Sequence, residues 1–220
     1  MRILVPFDID RPKTRLASVL DAAERRAFAV AMCRDVLSAI SETPHRAELL
    51  VTAPLEASSA DAPGGERAPR LDDFPETVDD RPLTEAVNAR LTDADRPIAI
   101  LMADVPLVTP ATVSRLTDCS ADVVIAPGLG GGTNALVVRD SEFRVSYHDT
   151  SYLTHREQAQ TSDTSVETVD SFRLALDVDD PEDLGEVLLH GDGLAAAWLR
   201  SNGFELEERD GRTRAVRRSE

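Results

Sequence analysis

The chain has 220 residues, with 40 acidic and 24 basic side chains and a formal net charge of −16, a size that suits one α/β domain with a substantial core. So acidic a balance argues against a nucleic-acid backbone or an anionic membrane as partner, because both demand basic surface. No apolar run approaches membrane-spanning length, and the amino terminus enters a short strand rather than a charged-then-apolar leader, so a soluble, cytoplasmic protein is expected.

In chain order, residues 1–7 read as a first strand, 8–18 as a polar loop, and 21–40 as a helix with apolar side chains at 28, 29, 32, 33, 36, 37 and 40. A short strand is expected over 48–53, and 55–73, rich in Ala, Ser, Gly, Pro and acid, as a surface insertion or mobile loop. Leu83, Val87 and Leu91 mark a helix. The run Pro97-Ile-Ala-Ile-Leu-Met-Ala-Asp104 is a continuous apolar strand that ends on acid and is stopped by Pro106. A helix over 110–116 follows, then strands over 123–126 and 135–138 separated by the glycine-rich 128–132, and a polar, irregular or short-helical stretch over 140–165. Leu174-Ala-Leu-Asp177 reads as another strand ending on acid, followed by a helix over 181–189 and an edge hairpin or tail over 203–220 turning at Asp210-Gly211. Strands alternating with helices predict one domain over 1–220, a three-layer αβα Rossmann-like fold with a mostly parallel sheet.

Cys33 and Cys119 are too few for a disulfide framework, and Cys33, among Phe28, Ala29, Met32, Val36 and Leu37, reads as a buried reduced thiol. Of the 24 basic residues 23 are arginine, and the only lysine is Lys13. Excess acid with almost no lysine is a surface suited to a salt-loaded, halophilic cytoplasm, where concentrated salt screens self-repulsion.

Open α/β sheets bind ligands beyond the carboxyl ends of their strands. Asp104 falls at such an end, as do Asp177 and Asp179, which share one face of an extended backbone at i, i+2. One aspartate alone would be read as a turn cap. Two such segments are how a hard divalent cation such as magnesium is gripped, so a metal site at Asp104, Asp177 and Asp179 is the leading reading. Lys13 and Arg15, in the loop leaving the first strand, hold the usual phosphate-binding position of nucleotide folds. Two solvated charges before a helix would be the plain alternative, weakened because lysine is otherwise absent. Gly130-Gly-Gly-Thr133-Asn134 is not a P-loop, since it opens a strand and lacks the Gly-Lys-Ser/Thr ending. Its amides could converge on an anion with the Thr133 hydroxyl beside them, and a plain connection between strands explains the run equally well. His148 and His155 lack the companions of a zinc site, and no serine or cysteine nucleophile motif is present.

Taken together, Leu4-Val-Pro6 leading to Lys13-Thr-Arg-Leu16, Met32-Cys-Arg-Asp-Val-Leu37, Asp104-Val-Pro-Leu107, Gly131-Gly-Thr-Asn-Ala-Leu136 and Leu176-Asp-Val-Asp179 resemble, in order and over most of the chain, the 2-phospho-L-lactate guanylyltransferases (CofC-type), within the nucleotidyltransferases that include the molybdopterin guanylyltransferases. The resemblance implies an enzyme that joins GTP to a small phosphorylated three-carbon acid, 2-phospho-L-lactate or a relative such as phosphoenolpyruvate, and releases pyrophosphate, in coenzyme F-420 biosynthesis. Carried over by motif, Asp104, Asp177 and Asp179 would hold Mg2+, while Thr133, His148 and Ser151 would cradle the acid. Where the family commonly has glycine ahead of the Ser151 region, this chain has His148, and the contact survives there if it is made by backbone N–H. Lys13 and Arg15 would then stabilise the α-phosphate and the departing pyrophosphate.

The alternative within the same group is an enzyme acting on a sugar phosphate or molybdopterin, but residues 7–14 lack the glycine-rich loop usual there. A non-catalytic metabolite-binding or phosphoacceptor module with Asp104 modified is the reading from another class. A homodimer is compatible with the sequence and not fixed by it.

Overall fold

The computed structural model describes residues 1–10, 12–55, 69–93, 96–161, 164–209 and 211–218. Most of the expected insertion, residues 56–68, lies outside them, as does Asp210 of the expected turn. The near end of that insertion is not loose surface, because Leu71 starts a short 3-10 turn and is buried.

The chain runs β1 (Arg2–Phe7), α1 (Ala22–Ser41), β2 (Arg46–Val51), β3 (Glu76–Val78), α2 (Leu83–Asp93), β4 (Ile98–Leu101), α3 (Pro110–Asp118), β5 (Val123–Pro127), β6 (Thr133–Val138), α4 (Ser151–Thr161), β7 (Val166–Thr168), the single helical turn α5 (Phe172–Ala175), α6 (Asp183–His190), α7 (Leu194–Ser201), β8 (Phe204–Arg209) and β9 (Arg212–Arg217). Among the described residues the main sheet has the order β3-β2-β1-β4-β6-β5-β7. All its pairings are parallel except the two made by β6, which runs against both β4 and β5.

Ile98, Ala99, Ile100 and Leu101 of β4 are all buried, as a central strand covered on both faces demands. Alternation along the strands feeds two layers. Ile3, Val5, Ala99, Leu101, Ala135 and Val137 pack with α1, α6 and α7 on one side, while Leu4, Ile98, Ile100, Leu136 and Val138 pack with α2 and α4 on the other. Helix α1 is held at its start by Asp21 and Glu24, whose side chains each accept from the other's backbone N–H. Cys33 lies wholly buried in the first layer, and burial holds its thiol above the ordinary range.

Two expectations are corrected, and a third, the irregular or short-helical 140–165, resolves in its helical form. Leu174–Asp177 is not a strand: residues 172–175 form a helical turn and 176–179 run on without sheet pairing. Its apolar residues are buried, but a short apolar run does not distinguish a strand from a buried turn of helix. The polar 140–165 stretch contains the eleven-residue helix α4. The hairpin β8–β9 is a separate two-stranded sheet, packed over α6 rather than joined to the edge of the main one. Its turn uses Gly211 at φ 72°, and Arg217 ties it to Glu24 at the start of α1. No helix among the described residues is long and apolar enough to cross a membrane.

Candidate active site

β1 ends at Phe7, and the chain loops to a 3-10 turn, Thr14–Ser18, anchored by fully buried Leu16. Lys13 precedes that turn in a left-handed conformation, φ 53° and ψ 49°, which a residue with a Cβ adopts at a cost of about 1 kcal/mol or more. The twist aims its side chain across the sheet. Lys13 Nζ donates to Asp104 Oδ2 at 2.5 Å and to Asp179 Oδ1 at 2.9 Å. Arg15 donates to Asp179 at 2.5 Å and to Asp180 at 3.1 Å. A cleft of about 260 Å³ opens beside this cluster, lined by residues including Phe7, Pro12, Met32 and Met102 together with Lys13, Arg15, Asp104 and Asp179.

Two backbone bonds bring the acidic segments here. Met102 N–H donates to the Asn134 carbonyl (2.9 Å), extending the β4–β6 ladder to the edge of the site, and Val178 N–H donates to the Asp104 carbonyl (3.0 Å). Asp183 fixes the far side, its carboxylate accepting the backbone N–H of Asp179 (2.9 Å) and Asp180 (2.7 Å) as α6 begins.

Asp177 is held differently. Its Oδ1 accepts from the Asn134 side-chain amide at 3.0 Å, and the same amide nitrogen donates to the carbonyls of Leu174 (2.9 Å) and Ala175 (3.2 Å). Gly128 is required beside it, because a Cβ there would sit 2.7 Å from Asn134 Oδ1. Asn134 is a site residue that sequence reasoning missed. It stands inside the quoted Gly131–Leu136 motif, but its partners lie 40 and more residues away.

The electrostatics follow this geometry. Burial pushes the Asp177 carboxyl above the usual range, helped by the charges of Asp104 and Asp179 and opposed by the Asn134 hydrogen bond. For Asp179, burial also raises, but Lys13 and Arg15 outweigh it and the carboxyl is held below its ordinary value. Burial lowers Lys13, and Asp104 and Asp179 more than reverse this, so the ammonium is held above its ordinary value. Among the described residues Asp104 Oδ1 is buried without a hydrogen-bond partner.

The second predicted group lies off the start of β6. Thr133 and Ser151 are both buried, and Ser151 Oγ donates to Thr133 Oγ1 at 3.3 Å. The glycine loop packs on the start of α4, where Tyr152 N–H donates to the Gly131 carbonyl (3.2 Å). Gly131 has φ +83°, which suits glycine, and a Cβ there would meet Thr150 at 3.2 Å. His148 is exposed, and the left-handed residue of this loop is its neighbour Asp149, φ 49°. The structure thus gathers Lys13, Arg15, Asp104 and Asp179, holds Asp177 near them through Asn134, pairs Thr133 with Ser151, and leaves His148 at the surface. Among the described residues no group of three or more His, Cys, Asp or Glu side chains is placed as it stands to hold a metal ion.

Residues 1–219 match the family described as guanylyl transferase CofC like. The chain belongs to that family. It is 51% identical over 236 residues to a 2-phospho-L-lactate guanylyltransferase of Natrialba magadii, covering 99% of each chain. It is also 51% identical over 218 residues to the enzyme of that name from Natronomonas pharaonis, covering 99% of this chain and 100% of the relative. Among solved structures, a Desulfovibrio desulfuricans protein described as a nucleotide-diphospho-sugar transferase superimposes with a TM-score of 0.70 at 17% identity, covering 91% of this chain and 94% of its own. A CMP:2-keto-3-deoxy-manno-octonic acid synthetase solved with CTP gives a TM-score of 0.53 at 12% identity, over 84% and 95% of the two chains. At such identities the structural likeness establishes the fold that CofC-like guanylyl transferases share with other nucleotidyltransferases.

Proposed function

We propose that the protein joins GTP to 2-phospho-L-lactate, or to a related three-carbon phosphoacid such as phosphoenolpyruvate, releasing pyrophosphate, in the cytoplasmic synthesis of coenzyme F-420. Family membership and the names of the relatives carry the reaction. The observation that ties it to this site is the Lys13–Asp104–Asp179–Arg15 cluster at the mouth of the cleft.

In this reaction a phosphate oxygen of the acid bonds to the α-phosphorus of GTP as the bond from that phosphorus to the bridging oxygen breaks, and pyrophosphate departs with the bonding pair. Both reactants are polyanions, so the protein's task is charge neutralisation and in-line alignment. Lys13 and Arg15 supply positive charge at the loop after β1, where the α-phosphate and the leaving pyrophosphate would lie. Thr133 supplies a buried hydroxyl for the acid, Ser151 backs it by donating its Oγ–H to Thr133, and His148, exposed in the loop before α4, would contribute its backbone N–H. The donor set of Asp104, Asp177 and Asp179 is all carboxylate, and Asp104 Oδ1 is a buried oxygen with no partner among the described residues, which suits a hard cation. These three residues would hold Mg2+. When bound, the ion supplies positive charge to the phosphates of both substrates.

The direct test is pyrophosphate release with each of the four common nucleoside triphosphates and 2-phospho-L-lactate, phosphoenolpyruvate or 3-phosphoglycerate, with the product identified by mass. The expected result is turnover with GTP and one of the first two acids. Activity confined to a sugar phosphate or a pterin phosphate would replace this reading with that of another member of the same fold.

A further inference from the structure

The Thr133–Ser151 pair leads to a third residue. His155, one turn along α4 from Ser151, is fully buried, with its ring 6.0 Å from Phe143 and 5.4 Å edge-on from Tyr147. Its Nε2 accepts the backbone N–H of Ser146 at 2.8 Å. A backbone amide can only donate, so Nε2 carries no proton and the neutral ring bears its proton on Nδ1. Nδ1 lies 2.9 Å from Thr133 Oγ1 and therefore donates to it. Burial holds the ring's pKa down to about 4, which keeps this neutral tautomer throughout the physiological range.

Thr133 Oγ1 thus receives two hydrogen bonds, from His155 Nδ1–H and from Ser151 Oγ–H. A hydroxyl oxygen has two lone pairs and one proton. With both lone pairs engaged, Thr133 retains only its own O–H to offer, and among the described residues no protein acceptor takes it.

We propose that His155 is a positioning residue for the acid substrate: it fixes Thr133 as an obligate hydrogen-bond donor, so that this point of the site selects a carboxylate or phosphate oxygen and rejects a group that can only donate. The proposal rests on the reading of Thr133 as an acid-binding residue.

The test compares wild type with His155→Leu, His155→Asn, Thr133→Val and the Thr133→Val/His155→Leu double variant, measuring KM for 2-phospho-L-lactate and for GTP beside the melting temperature. Losing a hydrogen bond to a charged ligand corresponds to roughly tenfold in binding. His155→Leu should therefore raise the acid KM about tenfold and leave the GTP KM within about twofold. His155→Asn should recover much of the loss, because its amide nitrogen lies near the place of Nδ1. Adding His155→Leu to Thr133→Val should raise the acid KM no further. Nitrogen-15 spectra of the wild-type ring should show Nδ1 protonated at pH 7, a readout independent of whether any variant folds. A ring protonated on Nε2, equal effects on both KM values, or multiplying effects in the double variant would overturn the proposal. A raised acid KM in Thr133→Val beside an unchanged one in His155→Leu would sink this proposal alone. An unchanged acid KM in Thr133→Val would sink the acid-site assignment, and the proposal with it.

Discussion

Val178 donates its backbone N–H to the carbonyl of Asp104 at 3.0 Å, and this bond sets the two acidic segments of the site side by side. The residues flanking Val178 are Asp177 and Asp179, so the contact fixes both carboxylates relative to Asp104 while leaving their side chains free to meet different partners. Asp179 faces Lys13 and Arg15, and Asp177 faces Asn134.

Changing Asp104, Asp177 or Asp179 to Asn should lower turnover at least 100-fold with the circular dichroism unchanged, since each swap removes charge and little volume. Asp104→Asn and Asp179→Asn also remove an ion pair from Lys13, whereas an amide at 177 can still accept from Asn134. Near-normal pyrophosphate release in all three variants would dismiss the carboxylates from the reaction.

Lys13→Ala should cut kcat/KM for GTP by roughly 100-fold or more, as expected when a charge aimed at the transition state is lost. Lys13→Arg should restore only part, because a planar fork does not reproduce a point charge seated between two carboxylates. Full activity in the arginine variant, measured under the same steady-state conditions, would show that any cation suffices.

Asn134→Ala strands the carbonyl of Leu174, leaves that of Ala175 to the Leu129 N–H alone, and releases Asp177, so it should cost about 1–3 kcal/mol of stability and most of the activity. Gly128→Ala should reproduce the activity loss without touching any carboxylate, because the added methyl displaces the Asn134 side chain. Urea titration and turnover on the same preparations check both, and a fully active Gly128→Ala enzyme would rule the amide out as the Asp177 support.

His155 should make the fold acid-sensitive. Its ring protonates near 6.5 in an unfolded chain but only at about 4 when buried. The folded-state value is the lower one, so the contribution is fully present above pH 6.5 and is lost as pH falls toward 4. Between pH 7 and pH 5 wild type should lose about 2 kcal/mol more than His155→Asn. Asp35, whose carboxyl is pushed up to about 6 chiefly by burial, acts in the opposite sense, with stability lost as pH rises through that range, and it cancels in this comparison. Parallel pH dependences in the two proteins would refute a buried neutral ring.

With a net charge of −16, the folded chain repels itself. Raising KCl from 0.1 M to 1 M shortens the screening length from about 10 Å to about 3 Å, and the melting temperature should rise by roughly 5 °C or more. A melting temperature that is flat or falls over this range would mean that local ion pairs outweigh the overall repulsion.

What the sequence reveals here depends on how local the cause is. Helix α1 was readable because its apolar spacing lies within the segment itself. Asp104 was readable because an apolar run ending on acid is a local pattern. Leu174–Leu176 misleads, since burial demands apolar residues whether the backbone is a strand or a helical turn. Helix α7, which begins at Leu194, carries small residues at 195–197 and donates its amino-terminal N–H groups to the carboxylate of Asp35, 159 residues before Leu194. Lys13 stood out by its uniqueness, yet its partners lie 91 and 166 residues away and only the fold discloses them. Asn134 and His155 stayed hidden for the same reason.

The uniqueness of Lys13 gives the protein a built-in chemical reporter. Apart from the chain's amino terminus, every amine-directed reagent has one target, and that target is ion-paired, with only 11% of its side chain exposed. Acylation should therefore strike the terminal amine first and Lys13 slowly, and a single mass increment on one peptide would read the state of the site. Ligands that cover the cleft should slow that increment, while weakening of the Asp104 or Asp179 pairing should hasten it. Occupancy can thus be followed by mass spectrometry on the unaltered protein, with no engineered probe and no turnover assay.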